Sequence, residues 1–299
     1  MEKPKVRISV RNLVEFILRS GDLDNSRGSS GDKEAMLKGG RLHRKIQRSM
    51  KGNYQAEVSL KRESEYEDVI IQVEGRADGI FTEDGEFWID EIKGTYGNLQ
   101  AMEVPVPVHR AQAMCYGWIY GEKEGLSQIG IQMTYSHLDT EDTRRFREIF
   151  SMEELKNWYQ KLLDDYHKWI SCSLSWKKER NASMKDLQFP FPYREGQREI
   201  VSGVYHTVSS KKTLFVQAPT GVGKTMSAIF PSVRAIGEGK GETLFYLTAK
   251  TITGTVAWEA FHTLRENGLK FKVTAITAKE KLCFLDSPEC TPEKCPYAK

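Results

Sequence analysis

The residues with the most specific chemistry form the run Ala-Pro-Thr-Gly-Val-Gly-Lys-Thr, which spans Ala218 to Thr225. Gly221 and Gly223 allow backbone N–H groups to turn toward phosphate oxygens, and the start of a following helix adds partial positive charge. In such a loop the Lys224 ammonium reaches the β- and γ-phosphates, and the Thr225 hydroxyl binds Mg²⁺. The run therefore predicts a site for a nucleoside triphosphate with Mg²⁺, although Ala218 stands where the strict pattern has glycine.

The residues on either side of this loop predict the elements that would position it. Residues 213–217 form a short apolar run, which predicts a buried strand, and residues 226–236 predict a helix. Upstream, Arg194 and Gln197 offer a guanidinium and an amide that could reach an adenine edge, although a plain helix start explains them equally well. Downstream, residues 243–251 predict a second core strand that ends in a polar loop.

A second chemically capable group lies on a predicted β-hairpin. Two apolar runs flank Asp84 and Gly85, and Asp-Gly is the preferred centre of a two-residue type I′ turn. Paired residues across this turn have numbers that sum to 169, so Asp78 is predicted to lie opposite Glu91.

Lys93 is predicted to share the face of these two carboxylates, because side chains alternate along a strand, whereas Asp90 points to the other face. Two carboxylates and a lysine can bind divalent cations, polarise a phosphodiester and lower the pKa of an attacking water. An ordinary cross-strand charge cluster on a solvated hairpin explains the same spacing.

Length and composition set the frame for these groups. A chain of 299 residues is expected to hold about two domains. Its net charge of +3 is too small to argue for nucleic acid by itself. The sequence has no long apolar run and no signal peptide, so we expect a cytoplasmic protein without a membrane partner. Ser151 and Glu154 form a predicted capping box that opens a long helix ending near Trp176.

The hairpin motif resembles the core of the PD-(D/E)xK nucleases, specifically their RecB-like branch. The resemblance lies in Gly-Arg-Ala-Asp-Gly at 75–79 and Asp-Glu-Ile-Lys at 90–93, with Ala77 in place of the proline. That branch also has a histidine on an upstream helix and Gln-x-x-x-Tyr on a downstream helix. By this resemblance, Mg²⁺ or Mn²⁺ is held by His43, Asp78, Glu91 and the Ile92 carbonyl, Lys93 assists catalysis, and Gln112 and Tyr116 contact DNA.

The P-loop and the segments around it resemble the first motifs of a superfamily 2 DNA helicase of the XPD/DinG type. The resemblance implies that ATP with Mg²⁺ is the nucleotide, bound by Ala218, Gly221, Gly223, Lys224, Thr225, Arg194 and Gln197. It also implies that Thr248, Lys250 and Thr251 contact the phosphates of a single strand, although a loop at a strand end needs no such role.

The cysteines add to the second resemblance. Cys283, Cys290 and Cys295 are spaced C-x6-C-x4-C in a segment rich in proline and acidic residues. Disulfides are not expected without a secretion signal, and the C-x2-C pairs usual in zinc sites are absent. Helicases of the XPD/DinG type insert a [4Fe–4S] domain here, so the resemblance implies cluster ligands, with the fourth ligand absent from this chain. Cys115 and Cys172 are predicted to be small buried residues.

These observations predict an α/β chain in four parts. The expected parts are a RecB-like nuclease domain at 1–180, a linker at 181–192, a partial RecA-like helicase lobe at 193–280 and the start of an iron–sulfur domain at 281–299. The expected function is a 5′-to-3′ ATP-dependent DNA helicase of DNA repair or recombination, fused to a metal-dependent nuclease acting on DNA that is single-stranded or has single-stranded ends. No Asp-Glu pair follows the P-loop. The chain is therefore expected to be a fragment without motor activity.

Two other classes remain open at this point. One is a non-catalytic module that binds DNA and ATP, in which the hairpin carboxylates hold no metal. The other is a P-loop phosphotransferase acting on small molecules, with an unrelated N-terminal domain. The oligomeric state does not follow from the sequence.

Overall fold

The computed structural model describes residues 3–20, 33–50, 53–248, 251–285 and 294–296. The chain divides into two compact units, residues 1–171 with 287–299 and residues 172–286. The described residues form a six-stranded mixed sheet and eight helices, so the predicted α/β class is confirmed. The four-part domain layout stays a prediction.

The first unit contains all strands of the sheet. They are β1 (Lys5–Ser9), β2 (Gln55–Glu65), β3 (Ile70–Glu83), β4 (Glu86–Thr95), β5 (Gln128–His137) and β6 (Thr143–Ser151). Its helices are α1 (Val10–Ile17), α2 (Lys33–Ser49) and α3 (Pro107–Glu124). A long helix, α4 (Met152–Lys185), begins in this unit and ends in the second. The second unit then contains α5 (Gln197–Ser209), α6 (Lys224–Gly237), α7 (Thr251–Glu266) and α8 (Lys279–Leu282).

Strand β3 is the centre of the sheet because it pairs with three other strands. Strand β2 pairs with it from Ile70 to Ile80 in antiparallel orientation and occupies one edge. On the other edge, β1 pairs in parallel up to Glu74, and β4 pairs in antiparallel orientation from Gly79 onward. The sheet therefore forks along residues 75–78 of β3, between the end of β1 and the start of the β4 pairing.

The β3–β4 hairpin has the predicted register. Asp84 and Gly85 both have positive φ, 53° and 85°, as a type I′ turn requires. Gly79 pairs with Asp90 and Glu83 with Glu86, so paired numbers sum to 169. The predicted arrangement of Asp78 opposite Glu91 follows by continuing this register for one more residue.

Helix α3 connects β4 to β5, which are parallel neighbours. Its residues from 111 to 121 are all buried, including Cys115, as predicted. A glycine lets the helix approach the sheet closely, since a Cβ on Gly117 would lie 2.8 Å from Cδ1 of Ile131. The helix is thereby fixed against β5, the parallel neighbour of the strand that carries Glu91.

The capping box of α4 is confirmed. The Glu154 N–H donates to Ser151 Oγ at 3.2 Å, and the Ser151 N–H donates to Glu154 Oε2 at 2.9 Å. The predicted end near Trp176 is wrong, because the helix continues to Lys185 and Met184 is buried in the core of the second unit. The predicted burial of Cys172 is also wrong, since its side chain lies on an exposed face of the helix. None of the described helices is long and apolar enough to cross a membrane.

The second unit has a helical core and, among its described residues, no strand. The core is formed by Met184, Leu187, Met226, Ile229, Phe230, Val233, Ile236, Ala257, Ala260, Phe261, Leu264 and Leu269. The strands predicted at 213–217 and 243–251 are therefore wrong for the described part of the chain. A strand needs a neighbouring strand to pair with, and the described residues of these two segments pair with no strand. Phe215 is 92% exposed and Leu247 is 88% exposed.

Candidate functional site

The hairpin site lies where the sheet forks, and Asp78 stands at the fork. Ile92 is beyond the last β3–β4 pair, and its N–H donates to Asp78 Oδ2 at 2.7 Å. The second oxygen, Oδ1, lies 3.6 Å from Nδ1 of His43. The carboxylate therefore bridges the end of the hairpin and helix α2.

Glu91 lies almost fully buried on the same face. Its Oε1 forms an ion pair with Lys93 Nζ at 2.7 Å, while its Oε2 has no hydrogen-bonding partner among the described residues. Burial and the neighbouring Asp78 raise the pKa of Glu91 to about 7, whereas Lys93 and His43 act in the opposite direction. Two close carboxylates, one with an unpartnered buried oxygen, form a site of negative charge that a cation would stabilise.

Helix α2 positions His43 through contacts that neighbouring residues of the helix make with β4 and β3. Leu42 and Ile46 are buried against Ile92 of β4, because apolar residues four apart share one face of a helix. On the next turn, Gln47 Nε2 donates to the backbone oxygen of Asp78 at 2.9 Å. His43 is thus held next to the fork by a small apolar cluster and a hydrogen bond.

The predicted metal ligands fit a hard divalent cation by their chemistry. Asp78 and Glu91 supply oxygen and charge, and the orphaned Oε2 of Glu91 is an open acceptor. Within the part of the chain that the structure describes, no three His, Cys, Asp or Glu side chains already form a group able to hold a metal ion. The fit rests on donor chemistry and on the orphaned oxygen rather than on a preformed cage.

Gln112 and Tyr116 lie one helical turn apart on α3, and both are buried. The Tyr116 hydroxyl rests against β3 at the fork, where a Cβ on Gly75 would approach it to 2.7 Å. Gln112 Oε1 has no hydrogen-bonding partner among the described residues. The structure thus brings Tyr116 to the carboxylates, and a DNA contact by either side chain stays a prediction.

Asp90 lies on the opposite face of β4 in a polar network that the sequence did not reveal. It is fully buried and accepts hydrogen bonds from Tyr54 at 3.1 Å, Gln132 at 3.0 Å and Thr134 at 2.6 Å. Burial raises the pKa of Asp90, and these three donors oppose that effect. The alternation of the hairpin predicted the direction of Asp90, but its partners come from β5 and from the residues before β2.

The predicted phosphate-binding loop of the second unit precedes the start of a helix. Gly221 and Gly223 have φ of 87° and 79°, in the left-handed region that favours glycine, and α6 begins at Lys224. Lys224 Nζ donates to the backbone oxygens of Ala218 at 3.0 Å and Pro219 at 2.7 Å. The loop therefore has the helix start and the glycine conformations of the motif, whereas residues 213–217 before it do not form the expected strand.

The structure brings Arg194 and Gln197 against this loop. The Arg194 guanidinium donates to the backbone oxygen of Gly221, and the Arg194 N–H donates to Gln197 Oε1 at 3.0 Å. A Cβ on Gly223 would lie 2.5 Å from Gln197 Nε2. Thr225 Oγ1 accepts a hydrogen bond from Tyr246 at 3.3 Å. Contact of Arg194 or Gln197 with adenine stays a prediction.

The remaining predicted residues lie partly outside the described residues. Thr248 is described as exposed, and Lys250 lies outside the described residues, as does Cys290. Cys283 belongs to the second unit, and Cys295 belongs to the segment grouped with the first unit. The iron–sulfur role of the three cysteines and the strand-binding role of Thr248, Lys250 and Thr251 therefore stay predictions.

Comparison with known proteins gives a short helicase match. No family model matches the chain. The probable ATP-dependent helicase MJ0942 of Methanocaldococcus jannaschii is 40% identical over 47 residues, which are 15% of this chain and 7% of that protein. The crystal structure of SSO0001 superposes with a TM-score of 0.34 at 20% identity, covering 52% of this chain and 75% of that one, a likeness too low to carry an argument. Over a short segment, the chain is similar to an ATP-dependent helicase.

Proposed function

We propose that the first unit is a metal-dependent nuclease that cleaves DNA with single-stranded character. The observation that carries this proposal is the unpartnered, buried Oε2 of Glu91 beside Asp78, with Lys93 bound to the other oxygen of Glu91. A solvated surface cluster does not explain this arrangement, because Glu91 is buried and a buried carboxylate oxygen without a hydrogen bond is costly even when Lys93 pairs with the other oxygen.

The residues of the fork have separable roles in this proposal. A Mg²⁺ or Mn²⁺ ion held by Asp78, Glu91, His43 and the Ile92 carbonyl would lower the pKa of an attacking water. Lys93 presents its ammonium next to Glu91, where it would stabilise negative charge on a phosphodiester. His43 and the Ile92 N–H both contact Asp78, so they hold that carboxylate toward the fork.

For the second unit we propose ATP binding with Mg²⁺, as part of an iron–sulfur DNA helicase of the XPD/DinG type with 5′-to-3′ polarity. The loop geometry at Gly221, Gly223 and Lys224 and the short match to a probable ATP-dependent helicase support it. Repair or recombination of DNA would then be the setting of both activities, with Gln112, Tyr116, Thr248 and Lys250 as DNA contacts.

A cleavage assay on the whole chain tests the nuclease. End-labelled single-stranded DNA is incubated with Mg²⁺ or Mn²⁺ and without ATP, using wild type, Lys93→Ala and the matched control Lys61→Ala, an exposed lysine on β2. We expect metal-dependent cutting by wild type and Lys61→Ala, and a loss of about 100-fold or more in Lys93→Ala. Equal cutting by all three proteins would contradict the proposal.

A non-catalytic DNA-binding module is the second candidate. It is favoured by the lack of a preformed three-ligand group in the described part of the chain. The same assay separates the two functions when DNA binding is measured in parallel by fluorescence anisotropy. DNA that is bound but not cut at any metal concentration would identify the binding module.

A further inference from the structure

We propose that His109 is a further substrate-contacting residue of the candidate nuclease site at the fork. In this proposal His109 donates a hydrogen bond to a DNA phosphate, and Tyr135 is its positioning residue. The proposal rests on the proposed nuclease function and extends it, because His109 belongs to none of the motifs that predicted the site. Its ligand is a phosphodiester oxygen next to the bond that is cleaved.

Strand pairing places Tyr135 beside Lys93. Strands β4 and β5 are parallel, and Lys93 is the register partner of Tyr135, so both side chains lie on the same face of the sheet. Tyr135 is buried, and its hydroxyl oxygen accepts a hydrogen bond from the backbone N–H of Val106 at 2.9 Å. The hydroxyl is therefore fixed at the end of the candidate site that Lys93 occupies.

Tyr135 in turn orients His109, which lies in the first turn of α3. His109 Nδ1 is 3.1 Å from the Tyr135 hydroxyl. Since the hydroxyl oxygen already accepts from Val106, its hydrogen is free to be donated to Nδ1, and the imidazole proton then resides on Nε2. Burial lowers the pKa of His109 to about 4, with Lys93 and Arg11 acting in the same direction and Glu15 opposing them, so the ring is neutral at pH 7.

The Nε2 of His109 is left as an oriented donor. The ring is only half-buried, and Nε2 has no hydrogen-bonding partner among the described residues. The charges that act on it are those of Lys93 and of Arg11, which is paired with Glu15, and the N-terminus of α3, which no side chain caps, adds partial positive charge. A phosphodiester fits this place because it is an anion that accepts hydrogen bonds from neutral and charged donors together.

Three substitutions test the donor. His109→Gln retains an amide N–H about as far from the backbone as Nε2, His109→Asn carries one only as far as Nδ1, and His109→Ala carries none. The control is His262→Ala, an exposed histidine of the second unit. Steady-state cleavage of a fluorescein-labelled oligonucleotide is measured with Mn²⁺, and binding of the same oligonucleotide is measured with Ca²⁺. Thermal melting of each variant shows whether it remains folded.

We expect His109→Ala and His109→Asn to raise KM and weaken binding by about tenfold, with kcat changed less than about threefold. His109→Gln should stay within about threefold of wild type, and Tyr135→Phe should show a smaller loss of the same kind. Unchanged KM and binding in His109→Ala would overturn the proposal. The proposal would also be overturned if all His109 variants lost DNA binding equally and this loss tracked the fall in their melting temperatures.

Failure of the nuclease itself has a different signature. If wild type binds DNA without cutting it and His109→Ala weakens binding, the phosphate contact of His109 is supported and the nuclease function is contradicted. If wild type cuts the DNA, and His109→Ala cuts and binds it equally well, only the proposed His109 contact is contradicted. A wild type that neither binds nor cuts the oligonucleotide overturns both.

Discussion

Asp90 and Glu91 are adjacent in the chain but have different hydrogen-bonding environments, because they lie on the two faces of β4. Asp90 accepts three hydrogen bonds and is closed to any further ligand. Glu91 has one oxygen bound to Lys93 and one without a partner among the described residues. At the scale of single residues, Glu91 is therefore the one of these two carboxylates that offers a cation an open acceptor.

The raised pKa of Glu91 predicts a pH-dependent stability of the metal-free protein. A carboxyl whose folded-state pKa is about 7 rather than the ordinary 4.5 favours folding while protonated, so its contribution is complete below pH 4.5 and is lost as the pH rises through 7. We expect the free energy of unfolding to fall between about pH 5 and 8, by on the order of 1–3 kcal/mol relative to Glu91→Gln. Urea denaturation in EDTA measures it, and parallel pH profiles for the two proteins would contradict it.

The two faces of β4 also predict separate consequences of substitution. Asp90→Ala leaves the donors of Tyr54, Gln132 and Thr134 unpaired in the interior, so we expect a loss of about 2–4 kcal/mol in stability without removal of a metal ligand. Asp78→Ala and Glu91→Ala should each abolish cleavage. Denaturation and cleavage assays test this, and an active Glu91→Ala beside a folded, inactive Asp90→Ala would contradict the assignment of Glu91 rather than Asp90 to the site.

At the scale of elements, the site is made by the fork in the sheet. Strand β3 exchanges β1 for β4 along one edge, and this exchange leaves Asp78 free to bond the N–H of Ile92. Helix α3 closes the fork on one side with Tyr116, and helix α2 contributes His43 next to Asp78. The geometry of the carboxylates therefore depends on how closely these elements approach each other.

Two glycines test the close approach at the fork. A Cβ on Gly75 would lie 2.7 Å from the Tyr116 hydroxyl, whereas a Cβ on Gly39 of α2 would meet nothing within 4 Å. We expect Gly75→Ala to destabilise the protein by about 1–3 kcal/mol and to reduce cleavage. Gly39→Ala should stabilise it by about 0.5–1 kcal/mol through helix propensity, with cleavage unchanged. Equal melting temperatures of the two variants would show that the Tyr116 side chain moves aside without loss of stability.

At the scale of the whole molecule, the two units carry different candidate chemistries. The first unit contains the fork with Asp78, Glu91 and Lys93. The second unit contains the predicted phosphate-binding loop with Lys224. No residue of the loop belongs to the fork. The chain therefore offers two sites that can be inactivated one at a time.

Substitution of the loop lysine tests this separation. We expect Lys224→Ala to weaken binding of a fluorescent ATP analogue by about 100-fold, because the ammonium would contact the β- and γ-phosphates. Metal-dependent DNA cleavage without ATP should be unchanged, and Lys240→Ala, an exposed lysine, should change neither. A parallel loss of ATP binding and cleavage in Lys224→Ala would contradict the separation.

The sequence by itself determined features that local geometry controls. The hairpin register follows from a two-residue turn, so the arithmetic that places Asp78 opposite Glu91 needs no other part of the chain. The capping box, and the glycine conformations and helix start at Gly221, Gly223 and Lys224, are likewise set by residues within one turn of each other. In these places a few neighbouring residues decide the conformation.

The tertiary structure alone decided where distant elements meet. It extended α4 past Trp176 because Met184 packs into a core that the local pattern does not reveal. It gave residues 213–217 no strand partner, since hydrogen bonds of a sheet come from other segments of the chain. It also joined Lys93 to Tyr135 and His109 across β4, β5 and α3, a juxtaposition set by sheet order and helix packing rather than by spacing.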